Sequence, residues 1–162
     1  MPHLTSPTDH RALRELPPAT AQQVLIIAAA AATSQALTAE LRARLHQGAV
    51  RFHLVVPALN SRLRHWCSDT DQAVLTARQR AEQARAVMAA HKIPLTVEVG
   101  DAVPSLAIAD ALARFRADEI LVATLPAHRS HRLEHDLVDL ARQRFGLPVQ
   151  HVSAMQDAGC AA

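Results

Sequence analysis

Apolar residues along this chain fall into five short blocks, and the segments between them repeat with a helical period. The clearest passage runs from Val99 to Pro126. A strand ends at Gly100, and Asp101 is placed to cap a helix whose expected apolar face is Val103, Leu106, Ala107, Leu112 and Phe115. After a break at Ala117 and Asp118 comes a near-continuous apolar block, Ile120 to Leu125. A strand, a helix and a second strand with tight joints make a unit of parallel sheet covered by helices.

The remaining blocks extend the same scheme. Strands are expected at Gln23–Ala30, Arg51–Pro57, Ile93–Val99, Glu119–Leu125 and Pro148–Ser153. Helices are expected at Ser34–Gln47, with Leu37, Leu41 and Leu45 inward and Gly48 as the stop, and at Asp71–His91, with Val74, Ala77, Ala81, Ala84 and Met88 inward. On the outer face of the second, Arg78, Glu82 and Arg85 have ion-pair spacing. A last helix is read from an Asp136 cap to Gly146, with Leu137, Leu140, Ala141 and Phe145 inward. Alternation of this kind predicts an α/β fold: a three-layer, doubly wound, five-stranded parallel sheet with the first strand near its middle. Ligands of such sheets sit at the carboxyl ends of the strands, where the strand order reverses.

Segments 1–22 and 155–162 read as a Pro-rich N-terminal extension and a tail flanking one domain at 23–154. Val24–Ala32 followed by Thr33-Ser34-Gln35-Ala36 mimics a secretory leader, but Asp9 and Glu15 accompany Arg11 and Arg14 ahead of it. The run is also too short to span a bilayer, and a buried first strand explains it better. Cys67 and Cys160 form no CxxC motif, which favours a reducing, cytoplasmic setting. A net charge of +2 argues against a polyanionic partner, and 2% aromatic residues leave no stacking platform for single-stranded nucleic acid. No nucleic-acid or membrane partner is therefore expected.

Gly100-Asp101, then Ile108 and Ala111, then Ala117-Asp118-Glu119-Ile120-Leu121-Val122, and finally Pro148-Val149 make a pattern that resembles the universal stress protein superfamily. The resemblance covers about Gln23 to Ser153. It implies strand order 3-2-1-4-5, a binding or regulatory role, ATP or AMP as ligand, and a homodimer joined through the fifth strand. The ligand motif departs from the family's. No carboxylate ends the first strand, which runs into Ala28-Ala29-Ala30-Ala31-Ala32. The loop Pro126–His135 has none of the family's glycines, and the family's Gly-Ser pair falls at about His135-Asp136. Glycines let backbone N–H groups approach phosphate closely, so their absence removes that cradle and leaves the cofactor unassigned.

Candidate binding residues lie around the expected cleft: Ala30, Thr33, Ser34, Val56 and Thr124 at strand ends, and Arg129, Ser130 and Arg132 in the loop after the fourth strand. Two guanidiniums and a hydroxyl suit a phosphate or another anion. The plainer alternative is a solvated basic loop balanced by Glu134 and Asp136, and Ser34 reads equally as a helix cap. His128, His131, Glu134 and His135 read as a surface loop rather than a zinc site. Trp66-Cys67 is either a lid or, better, an apolar anchor for a long connection. No GxSxG elbow or P-loop is present, so no catalytic or metal residues are assigned. A binding protein is expected first, with an interaction module whose cleft is empty, or a nucleotide hydrolase or transferase of the same fold, as alternatives.

Overall fold

The computed structural model describes residues 21–59, 70–126 and 132–154. In chain order these form β1 (Gln22–Ala28), a 3₁₀ turn (Ala30–Thr33), α1 (Gln35–Gln47), β2 (Val50–Pro57), α2 (Thr70–Ala90), β3 (Leu95–Gly100), α3 (Pro104–Arg114), β4 (Glu119–Thr124), α4 (Arg132–Phe145) and β5 (Val149–Ser153). All strand pairs are parallel, in the order β3-β2-β1-β4-β5. The chain is therefore the α/β, doubly wound sheet its alternation predicts.

Period-two alternation splits the apolar side chains between two faces. Val24, Ile26, Phe52, Leu54, Val56, Leu121 and Ala123 form one core with Leu37 and Leu41 of α1 and Ala77, Ala81, Ala84 and Met88 of α2. Leu25, Ile27, Val55, Ile120 and Val122 form the other, under Ala107, Ile108 and Ala111 of α3 and Leu137, Val138 and Ala141 of α4. Three expected inward positions are corrected here. Val103 and Leu106 are about half exposed, because α3 begins only at Pro104 and its buried stripe is Ala107, Ile108 and Ala111. Leu140 also faces outward, and Val138 takes the inward place.

Element ends differ in ways that matter for the site. β1 stops at Ala28 rather than Ala30, because the backbone turns at Ala29 into the 3₁₀ turn. The start of β3 moves from Ile93 to Leu95. After α2, Lys92 takes a left-handed conformation (φ 57°), with its N–H donated to Ala89 O and that of Ile93 to Met88 O. That is a Schellman closure with lysine where glycine is usual, and Ile93 is buried beside it. Asp101 does not cap α3. Its Oδ1 accepts from the Val103 N–H at 2.7 Å, and Val103 is the N-cap ahead of Pro104. Asp136 is not a cap either: α4 starts a turn earlier, at Arg132, and Asp136 lies inside it.

At the amino end of the sheet the Arg44 guanidinium of α1 is 8% exposed and reaches three elements. It donates to both oxygens of Glu119 in β4 (2.8 and 3.0 Å), to Gln150 of β5 (2.5 Å) and to Glu40 one turn back (2.8 Å). Gln22 of β1 adds a third hydrogen bond to Glu119 at 3.0 Å. The hydrogen bonds that Arg44 donates to Glu119 outweigh burial and raise its pKa above the ordinary value, so the guanidinium stays charged. Asp118 anchors the start of β1 by accepting from Gln23 N and donating its own N–H to Gln23 O, both at 2.8 Å.

Gly100 marks a close approach. A Cβ there would meet Val55 Cγ1 at 2.6 Å and Ala107 Cβ at 2.7 Å, so its absence lets α3 settle on the end of β2. Gly100→Ala is expected to cost about 2 kcal/mol by overpacking, read as a lower urea midpoint with unchanged slope. An unchanged midpoint would contradict this packing.

Candidate functional site

In this strand order β1 continues into α1 on one face, and β4 continues toward α4 on the other. The two chains separate at the carboxyl ends, and a rim opens between them. Its β1 side is the 3₁₀ turn. Ala31 and Ala32 are buried and hold the turn against the core, whereas Ala30 and Thr33 face outward. The small alanine side chains allow this tight turn to lie against α2 and β4.

Ser34 caps α1: its Oγ accepts from Leu37 N–H at 3.2 Å, and its carbonyl accepts from Thr38 Oγ1 at 3.0 Å. On the β4 side Thr124 is 1% exposed, with its hydroxyl 2.8 Å from His151 Nε2. Val56 is fully buried among the core side chains beneath α1 and α2. Of the strand-end candidates, then, Ala30 and Thr33 are exposed, Ser34 is half-buried and caps α1, and Val56 and Thr124 are buried. Arg129 and Ser130 lie outside the described residues, as do Trp66, Cys67, His128 and His131. Arg132 is the first residue of α4. Because α4 runs antiparallel to the strands, its N-terminus, with the positive end of its dipole, lies at the same rim. Asp136 sits inside the helix, a turn beyond its first residue.

A second polar cluster lies on the α3 face, away from the reversal. His53 of β2 places Nε2 3.2 Å from Glu98 Oε1 of β3 and Nδ1 2.5 Å from Thr96 Oγ1. Arg114 at the end of α3 donates to the same Glu98 oxygen at 2.9 Å. Phe115 stacks on the His53 ring with centroids 5.0 Å apart. Burial alone would raise the Glu98 pKa, but the hydrogen bonds from His53 and Arg114 win and hold it below the usual glutamate value. His53 and Arg114 share one Glu98 oxygen, so this cluster ties β2, β3 and α3 together.

Neither this cluster nor the Arg44–Glu119 pair was singled out from the sequence. A signal exists for both: His53 and Glu119 are polar residues inside otherwise apolar strand blocks, and buried polar groups require partners. The partners themselves are far away in sequence. Among the described residues no group of His, Cys, Asp and Glu side chains is arranged to hold a metal ion. No described helix is long and apolar enough to cross a membrane.

No protein-family model matches the sequence, and no curated protein matches it. Solved structures do. One is a protein of the universal stress protein family from Burkholderia pseudomallei, with TM-score 0.51 and 17% identity, covering 85% of this chain and 100% of that one. Another is a universal stress protein family protein from Arabidopsis thaliana with AMP bound, with TM-score 0.53 and 13% identity, covering 86% of this chain and 96% of that one. The likeness is one of fold: this chain has the fold of the universal stress proteins.

The His53–Glu98–Arg114 cluster carries a pH dependence. A carboxyl whose folded pKa is lowered stabilises the protein above its unfolded value, and that contribution is lost as pH falls through the folded value. Acidification below the ordinary glutamate value of 4.5 should therefore lower the urea midpoint. Glu98→Gln should start lower at neutral pH and fall less across that window. An acid limb of unchanged steepness in Glu98→Gln would contradict the assignment.

Proposed function

We propose that this protein binds and regulates rather than turns over substrate, and that it holds a nucleotide or another anion at the rim between β1 and β4. One observation carries the reading: the strand order reverses there, so the rim gathers the exposed Ala30 and Thr33 and the amino end of α4. A helix N-terminus favours negative charge, and the sequence supplies Arg129 and Ser130 just ahead of α4 and Arg132 as its first residue. The structural neighbour with AMP bound supports a nucleotide as the ligand class. Without glycines in the loop, recognition rests on guanidinium charge and side-chain donors rather than on a backbone cradle.

Burial of Val56 and Thr124 favours the second reading, an interaction module whose cleft stays empty. Two measurements separate the readings. Protein purified gently and then denatured should release a small phosphorylated molecule detectable by mass spectrometry. Calorimetry with AMP, ATP or inorganic phosphate should show saturable heat, and replacing Arg129 and Arg132 with Ala should weaken binding at least about tenfold, as expected for charge-assisted hydrogen bonds. No retained molecule and no heat at millimolar ligand would leave the empty module. ATP hydrolysis above background, lost in Arg129→Ala, would instead favour the enzyme.

The same reading places the protein in the cytoplasm as a homodimer joined through β5, an edge strand of the sheet. Light scattering should give twice the chain mass over a wide concentration range. A monomer throughout would contradict the pairing.

A further inference from the structure

The sheet has two edges, β3 and β5, and they are treated differently. In β3 the carbonyl of Gly100 accepts from Ala58 N–H at 3.3 Å, so Gly100 faces β2. Backbone direction alternates along a strand. The groups of Glu98 and Thr96 therefore also face β2, and those of Leu95, Val97 and Val99 turn outward. Leu95–Gly100, with the sequence LTVEVG, is rich in β-branched residues and would suit strand addition by another chain.

The central outward carbonyl of this edge is occupied. Arg85 reaches from α2 and donates Nη2–H to Val97 O at 3.2 Å. Its other terminal nitrogen is held by Glu82, one turn back on α2. On the opposite face of β3, Glu98 is engaged by His53 and Arg114. Ion networks thus flank the strand on both faces, and one of them reaches over the edge. At β5 the side chains of Gln150 and His151 are exposed and bond within the sheet's own cover instead: Gln150 accepts from Arg44, and His151 meets Thr124.

We infer that Arg85, oriented by Glu82, guards the β3 edge against strand addition by a second copy of this chain. A strand docking on β3 needs Val97 O as an acceptor. It must first displace a hydrogen-bonded guanidinium and then leave that charge beside its own backbone, which makes pairing unfavourable. The consequence is directional: sheet-to-sheet association is denied at β3, and open-ended growth through both edges is prevented. This holds whether or not β5 joins two copies.

The test uses the full chain with wild type as reference. Arg85 is half exposed (49%), so Arg85→Ala leaves the core intact. Light scattering should show its mass rising with concentration to at least double that of wild type under the same conditions. Hydrogen exchange should show the Val97 and Val99 amides slowing as the mass rises. Should Arg85→Ala lose its cooperative melt, Glu82→Ala carries the same test by releasing the guanidinium, with a smaller shift in the same direction. A mass equal to wild type at every concentration overturns the proposal. So does growth that leaves the β3 amides unprotected, because the new contact then lies elsewhere.

Discussion

The structure depends on one constraint: β1 and β4 must be covered on both faces and along both edges. Val24 to Ala28 are all buried, and so are all six residues of β4. Strands this apolar are stable only in the middle of a sheet with helices above and below. Placing them side by side sends the chain outward in opposite directions, toward β2 and β3 on one side and β5 on the other. The reversal, and with it the rim where a ligand would sit, follows from burial of these two strands rather than from any ligand-binding residue.

Polar atoms in so buried a strand need partners, and β4 has one at each end. Glu119 opens it and is satisfied by Arg44 and Gln22; Thr124 closes it and is satisfied by His151. Ion pairs of this kind contribute little net stability against an apolar replacement, yet breaking one costs about 3–5 kcal/mol. Their effect here is positional. Arg44 reaches Glu119 and Gln150 together only when β4 and β5 are in their observed register, in which Leu121 lies beside Gln150. The amino end of the sheet is thereby made rigid, opposite the rim, where the chain turns through small alanines.

Much of this fold is legible in the sequence itself. Apolar blocks and helical stripes point to the five strands and four helices of the described residues, and Gly100 marks the end of β3, though not the approach of α3 to β2 that its missing Cβ allows. The errors have physical causes. An unbroken run of alanine carries no period, so nothing in Ala28–Ala32 shows that the strand ends and a 3₁₀ turn begins. An aspartate before an apolar stripe looks like a cap, but Asp101 spends its oxygen on Val103 and Asp136 lies within a helix whose start is set at Arg132. The Arg44–Glu119 pair bridges 75 positions and leaves no local trace. The candidate site was legible only as a location. Its alanines carry no chemistry, and the chemistry-bearing Arg129 and Ser130 lie outside the described residues.

The amino end of the sheet thus holds register, and the proposed ligand rim lies at its carboxyl end. Amide chemical shifts followed during an AMP titration test that division directly. The account predicts saturable shifts confined to Ala29–Ser34 and Leu125, with Gln22, Glu119 and Gln150 unmoved. Shifts centred on the amino-end residues, or none at any millimolar concentration, would contradict it.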